Sequence, residues 1–236
     1  MKIELVVFDL AGTTVEDNKD VQRVLKTVMA NFDVNISLED ASEVMGIPKP
    51  VAIEKLLRKK YAGNQGIISD WISEIHGMFV SEMQHFYRTD LSVIEKEGAS
   101  ETFRILKAND IKVVVDTGFD RHITDTLLKR MGWVKDQLID GSVTSDEVPR
   151  GRPYPDMIFK AMQLTGVRDI SRVAKVGDTV SDLQEGNSAG CAIVVGVTTG
   201  AFPKEELEKE EHTHLIEQLP ELISILGLKA QLTVLH

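Results

Sequence analysis

Asp9, Thr117, Arg152, Asp178 and Asp182 are the residue types that handle a phosphoryl group; Asp9, Thr117 and Asp178 stand at or just beyond the end of an apolar run, with Asp182 four residues on and Arg152 in the loop 144–155. Carboxylates brought together from two strands can hold a hard cation such as magnesium, which prefers oxygen ligands and keeps some of its waters. Such a cation would neutralise a phosphoryl group together with the Thr13 and Thr117 hydroxyls, the turn amides at Gly118 and the Arg152 guanidinium, while Asp9 attacks phosphorus. Asp9 would pass through an aspartyl-phosphate. Taken singly, no piece is specific. Asp9-Leu10-Ala11-Gly12 also reads as a strand followed by an ordinary turn, and Gly177-Asp178-Thr179-Val180-Ser181-Asp182 as a turn with an N-cap.

Convergence depends on the elements that carry these residues. The stretch 2–15 has an unbroken apolar run (Ile3, Leu5, Val6, Val7, Phe8) that suits a strand buried on both faces of a parallel sheet. The carboxyl end of such a strand opens into the crevice where these sheets bind ligands, which puts Asp9 at its mouth. Further strands are expected at 111–116, 173–176 and 192–197, with a weaker one at 137–139. They alternate with a helix through Phe103, Ile105 and Leu106 and with helices at 121–131, 156–164 and 182–189. This is the pattern of an α/β, Rossmann-like parallel sheet. All its strands end on one edge, so residues scattered along the chain meet there.

Residues 19–90 carry no strand pattern. Val21, Val24, Leu25 and Val28 lie at helical spacing, and Ser37 with acidic followers marks a helix start. Gly46, Pro48 and Pro50 predict a turn over 45–50, because glycine and two prolines sit badly in a helix interior. Helices follow over about 51–61 and 68–88, separated by a break at 62–66. The reading is therefore a core of residues 1–16 and 91–236 interrupted by an all-helical domain over 17–90. The charge-rich stretch 204–211 reads as a solvated helix face, and the tail KAQLTVLH reads equally as a strand or as packed coil.

With 236 residues the chain accommodates one core domain carrying a large insertion. A formal net charge of −10 argues against nucleic acid or an anionic membrane as partner, although a local basic pocket could still hold a small anion. Cys191 is the single cysteine, which excludes an intrachain disulfide and fits a reducing compartment. It lies in an apolar run and reads as a small buried hydrophobe. With no leader-like segment and no run approaching a membrane span, a cytoplasmic location is expected.

In this order the motifs resemble the haloacid dehalogenase superfamily: Asp9-Leu-Ala-Gly-Thr-Thr, Asp116-Thr117-Gly118, the basic Arg152, and Gly177-Asp178-Thr-Val-Ser-Asp182. The resemblance spans nearly the whole chain. It implies that the helical insertion is a cap closing over the site, and that Asp9, the Ala11 backbone carbonyl and Asp178 ligate magnesium. Asp182 would orient the loop or a bound water, and Thr13, Thr117, Gly118 and Arg152 would bind the phosphoryl group.

Ala11 is the informative departure. Phosphatases of the superfamily usually have a second aspartate at this position, which protonates the leaving alkoxide, and losing such catalysis costs about a hundred- to ten-thousand-fold. The phosphonoacetaldehyde hydrolase branch shows this same alanine. The chain is also similar to that branch over Asp146-Glu-Val-Pro-Arg-Gly-Arg-Pro-Tyr-Pro155 and Lys175-Val-Gly-Asp-Thr-Val-Ser-Asp182. In that branch a cap lysine in a Met-Gly-x-x-Lys pattern forms a Schiff base with the substrate aldehyde, and Met45-Gly46-Ile47-Pro48-Lys49 fits it. The resemblance thus assigns Lys49 as imine former and puts Met45, Gly46 and Phe119 in the substrate pocket. An iminium accepts the electrons of the broken carbon–phosphorus bond, so no acid is needed at position 11. The amine must be neutral to add to an aldehyde, which requires a depressed pKa.

Two positions depart from that branch: Ala52 stands where it has a histidine, and Phe119 where it has a tyrosine. His76, His85 and His122 are the histidines that could substitute, although all three read more simply as helix decoration. The expected partner is a small phosphonate or phosphorylated metabolite, and the resemblance implies a homodimer through the cap. The alternatives are a phosphatase acting on small phosphomonoesters and a non-catalytic sensor of a phospho-ligand. Retention of both Asp9 and Asp178 argues against the sensor.

Overall fold

The computed structural model describes residues 2–61 and 65–229. Strand β1 (Leu5–Asp9) is followed by four helices in succession: α1 (Asp20–Ala30), α2 (Leu38–Ser42), α3 (Lys49–Lys60) and α4 (Gln65–Thr89). Alternation then begins with α5 (Ala99–Ala108), β2 (Lys112–Thr117), α6 (Arg121–Met131) and β3 (Gly141–Thr144). It continues through α7 (Asp156–Thr165), β4 (Val173–Gly177), α8 (Val180–Ala189) and β5 (Ile193–Val197), and closes with α9 (Lys204–Leu207), β6 (His214–Ile216) and α10 (Glu221–Ile225). The six strands form one parallel sheet in the order β3-β2-β1-β4-β5-β6.

Strand order reverses at β1, the point where such sheets open a ligand crevice at their carboxyl edge. Register puts Asp9 opposite Asp116 on β2, and β4 runs beside β1 with Phe8 opposite Val176. Side chains alternate across a strand, so Asp9 follows Leu5 and Val7 on one face and Asp116 follows Val114. Leu5, Val7 and Val114 pack with Met157, Ile158 and Ala161 of α7, while Val6, Phe8, Val113 and Val115 pack with Phe103 and Leu106 of α5 on the other face. Both faces are covered, as an apolar strand without alternation requires.

Residues 20–89 contain no strand among the described residues. Their apolar faces (Leu25, Ile53, Leu57, Ile75, Phe79) join the same continuous cluster as the sheet. Gln84 on α4 donates to the His122 carbonyl at 3.1 Å and to Thr126 Oγ1 at 3.3 Å, tying this segment to α6.

Several expectations need correction. The strand expected at 137–139 is instead β3, at Gly141–Thr144. Gln137 has a left-handed φ of 56° that no strand accommodates, and the buried Leu138 and Ile139 plug the core. The turn expected over 45–50 ends early, because α3 begins at Lys49 with Pro50 in its first turn, where a missing amide hydrogen costs nothing. Only Lys204–Leu207 of the stretch 204–211 is helical, and Leu207 is buried against Leu183 and Val194 rather than solvated. Strand β6 and helix α10 were not anticipated. Of the expected break at 62–66, residues 62–64 lie outside the described residues, as do residues 230–236 of the tail, whereas Gln65 and Gly66 already belong to α4.

Candidate active site

Asp9, Ala11, Met45, Gly46, Lys49, Thr117, Gly118, Phe119 and Arg152 line one pocket at the carboxyl edge of β1, with Asp17, Val21, Thr179 and Ala201 completing its wall. Its free volume is about 30 Å³, enough for one or two waters. The helical segment closes it by direct contact. Gly46, at φ +82°, packs so tightly that a Cβ there would lie 2.2 Å from Ser181 Oγ, and a Cβ on Gly118 would lie 2.9 Å from the Ile47 carbonyl oxygen.

Asp9 is buried, and burial pushes its carboxyl up to about 7 despite the Arg152 guanidinium, which donates to its Oδ1 at 2.6 Å. Its carbonyl accepts the Thr14 hydroxyl at 2.8 Å, which holds the turn that follows β1. Asp178, at the end of β4, accepts from the Thr13 hydroxyl at 2.8 Å and from the Ala201 amide at 2.6 Å. The backbone closes on it as only glycine permits, since a Cβ on Gly12 (φ +94°) or on Gly200 would sit 2.2 Å from its Oδ2. Burial, then the neighbouring Asp9 and Asp182 charges, drive the Asp178 carboxyl well above the usual range.

Oxygens of Asp9, Asp178 and Asp182 approach within 4.8 Å of one another, and all three residues are buried. No lysine or arginine pairs with Asp178 among the described residues. Asp9 and Asp182 share the Arg152 guanidinium, which leaves Asp178 as the carboxylate without a cation partner in a crowded oxygen donor set that fits a hard divalent cation. A second acidic group, Asp116, Asp182 and Glu185, differs in that each of its carboxylates pairs with both of two buried cations, one of which also reaches Asp9.

Those cations are Arg152 and Lys175. Arg152 is expected to bind a phosphoryl group, yet its donors are committed to carboxylates: Asp9 at 2.6 Å, Asp116 at 2.5 Å, Asp182 at 2.9 Å and Glu185 at 3.0 Å. It reaches the pocket as a clamp on Asp9 rather than as a free fork. The Thr13 hydroxyl donates to Asp178 Oδ1 at 2.8 Å, and Thr13 is not among the residues that line the pocket. Asp182 does double duty. Its Oδ2 accepts the Thr179 amide at 3.1 Å in the capping box of α8, and its Oδ1 lies 3.2 Å from Lys175 Nζ.

Lys175 and Glu185 were not singled out by sequence. Lys175 is fully buried in β4, 2.8 Å from Glu185 and 2.5 Å from Asp116. Those carboxylates outweigh its burial and raise its pKa above the ordinary lysine value. Glu185 is pushed up to about 8 by burial and by Asp116. The signal was present: a lysine in a strand buried on both faces demands carboxylate partners.

Lys49 occupies the opposite kind of site. It is 4% exposed, at the first position of α3, with its Nζ 5.9 Å from the Phe79 ring centroid and 5.3 Å from that of Phe119. Burial lowers its pKa to about 8; Asp9 and Asp17 pull the other way and Arg152 adds to the lowering. The positive end of the α3 dipole opposes protonation as well. Ala52, one turn along α3, is fully buried and brings no proton-carrying group. His76 sits 3.7 Å from Asp120 rather than in the pocket lining, and His85 and His122 are exposed. Cys191 is partly buried and its thiol is pushed up to about 12 by burial, which fits an unreactive side chain.

Comparison with known proteins places this geometry among relatives. The profile of haloacid dehalogenase-like hydrolases matches residues 3–190. A phosphonoacetaldehyde hydrolase of Bacillus thuringiensis (strain Al Hakam) is 30% identical over 93% of this chain and 86% of its own length. Among solved structures, a phosphonoacetaldehyde hydrolase-like protein from Oleispira antarctica superposes with a TM-score of 0.80 at 22% identity, covering 96% of this chain and 92% of that one. A putative phosphoglycolate phosphatase from Lactobacillus plantarum superposes at 0.79 with 16% identity, over 95% and 100% of the two chains, which extends the likeness in fold.

Proposed function

Because the chain belongs to the haloacid dehalogenase-like hydrolases, we propose that it is a magnesium-dependent phosphonatase, cleaving the carbon–phosphorus bond of phosphonoacetaldehyde or a close analogue. The observation that carries this reading is Lys49, a lysine buried between two aromatic rings with its pKa lowered to about 8, in the same pocket as Asp9. A phosphomonoesterase has no evident use for a neutral amine there.

The neutral Lys49 amine adds to the aldehyde carbon, and loss of water leaves an iminium. Asp9 then attacks phosphorus. The carbon–phosphorus bond breaks, its electron pair flows into the iminium to give an enamine, and phosphorus stays on Asp9 as an aspartyl-phosphate. Water hydrolyses that ester to inorganic phosphate and restores Asp9. The enamine takes on carbon the proton released as water attacks the aspartyl-phosphate, and hydrolysis of the resulting iminium frees acetaldehyde and Lys49. Magnesium held by Asp9, Asp178 and the Ala11 carbonyl, with Asp182 beside them, would neutralise the phosphoryl oxygens. Arg152 favours the ionised form of Asp9 against its burial and aims it. Residues 17–90 act as the cap that excludes water, with Met45, Gly46 and Phe119 walling the substrate.

Asp9→Asn tests the reading, with inorganic phosphate release as the readout. Release from phosphonoacetaldehyde should vanish in the variant and, in the wild type, should be lost on chelation and regained with magnesium. Robust turnover of phosphomonoesters with none of phosphonoacetaldehyde would overturn the phosphonatase assignment in favour of a small-molecule phosphatase.

A further inference from the structure

The imine chemistry just described needs protons that the residues assigned to it do not carry. Addition of the neutral amine moves one proton from nitrogen to the carbonyl oxygen. Expelling that oxygen as water requires a second, and hydrolysis at the end must return it. Position 11 is alanine, position 52 is alanine, and position 119 has no hydroxyl. Among the residues lining the pocket, the groups that can ionise are Asp9, Asp17, Lys49 and Arg152. Asp9 is the nucleophile and Lys49 the imine former. Arg152 does not release its proton in a protein.

We propose that Asp17 is the acid and base that carries protons for imine formation and hydrolysis at Lys49, an assignment that rests on the phosphonatase reading. Its position fits the task. Asp17 precedes α1 and its Oδ1 accepts the first-turn amides of Asp20 at 2.7 Å and Val21 at 3.3 Å, which fixes the carboxyl group against the pocket wall. Its Oδ2 takes no hydrogen bond or ion pair among the described residues, so one oxygen anchors and the other is available.

Its surroundings favour a carboxyl group that can change state. The side chain is half-buried, and burial raises its pKa above the ordinary aspartate value against the two anchoring amides. Asp20 raises it further and Lys49 lowers it. The other ionisable groups close enough to matter are Asp9 and the buried Tyr87 on α4, whose phenol is held well above its usual pKa by burial and by Asp17, Asp9 and Asp20. A phenol so placed keeps its proton. His76 is outside the pocket lining.

The proton balance closes. Asp17 in its acid form gives a proton to the carbinolamine hydroxyl, which leaves as water while the nitrogen lone pair forms the carbon–nitrogen double bond. In the closing half, the Asp17 carboxylate takes a proton from the water that adds to the iminium carbon. The acid form is thereby restored.

Borohydride trapping with phosphonoacetaldehyde, followed by peptide mass spectrometry, reads the step directly. Asp17→Asn keeps a side-chain oxygen for the α1 amides but cannot donate as an acid. Its rate of reduced-adduct formation at Lys49 should fall about a hundredfold or more, the range typical of a lost general acid. Asp17→Glu and added formate should each restore part of the rate, while the thermal midpoint of Asp17→Asn stays close to that of the wild type. Trapping in Asp17→Asn at the wild-type rate overturns the assignment of Asp17 alone. A loss that neither Asp17→Glu nor formate repairs also overturns it, by showing a structural role. Absence of any Lys49 adduct in the wild type overturns the imine reading, and Asp17 with it.

Discussion

Lys49 and Lys175 are both almost wholly buried, yet their surroundings treat the ammonium charge in opposite ways. Lys175 lies within ion-pair distance of Asp116, Asp182 and Glu185, and these carboxylates raise its pKa. Lys49 has two phenyl rings and a helix amino terminus for neighbours, and burial lowers its pKa to about 8. Burial of the same side chain therefore gives a permanent cation at one place and an amine available near neutral pH at the other. The sheet edge needs the permanent cation, because five buried acidic residues meet there. In the proposed reaction, the cleft under α3 and α4 uses the neutral amine for carbonyl chemistry.

Removing each lysine should separate the two roles. Lys49→Met is expected to lower phosphate release from phosphonoacetaldehyde by about ten-thousand-fold, the upper range for removing a group that enters the reaction. Its stability at neutral pH should hold or improve, because a buried amine that resists protonation is replaced by an apolar chain of similar size. Lys175→Met should do the reverse. It leaves buried carboxylates uncompensated and should cost about 3–5 kcal/mol in denaturant unfolding. Equal destabilisation by both substitutions would break the comparison.

A smaller effect lies in the pH dependence of stability. The folded-state pKa of Lys49, about 8, is below the ordinary 10.5, so between those values the unfolded chain binds more protons than the folded one. The Lys49 contribution to stability should therefore rise with pH across that window, by on the order of 3 kcal/mol in total, and Lys49→Met should lack the rise. Lys175 has the opposite sign: its raised pKa means its contribution is complete below 10.5 and is lost only as pH climbs through the folded value. Smallest of all is a control at a distance. Ser37 caps α2 by accepting the Asp40 amide at 3.0 Å, and Ser37→Ala should cost about 1 kcal/mol while leaving adduct formation at Lys49 unchanged.

Much of the architecture was legible because its physical signals are local. The apolar run ending in Asp9 marked a doubly covered strand, and parallel strands bring Asp9, Thr117, Arg152 and Asp178 to one edge whatever their separation in the chain. Elements built by long-range contact were not legible. The Leu138-Ile139 pair looks like a strand until the left-handed Gln137 turns it into a core plug, and the ladder falls to the unremarkable Gly-Ser-Val-Thr beyond it. At the site, residue types were readable but their commitments were not. Thr13 could serve phosphate or Asp178, and Arg152 could serve phosphate or carboxylates; the contacts to Asp178 and to four carboxylates are visible only in the fold. Asp17 drew no attention because an acidic residue before a helix is ordinary, and only the pocket wall distinguishes it.

In the proposed reaction Lys49 is the lysine kept ready as a neutral amine. Borohydride trapping with phosphonoacetaldehyde over a pH series, with adducts mapped by peptide mass spectrometry, reads that amine at its own site. Modification is expected at Lys49 with a rising limb centred near pH 8, and none at Lys175. A rising limb near 10.5, or adducts spread over surface lysines with Lys49 untouched, would contradict it.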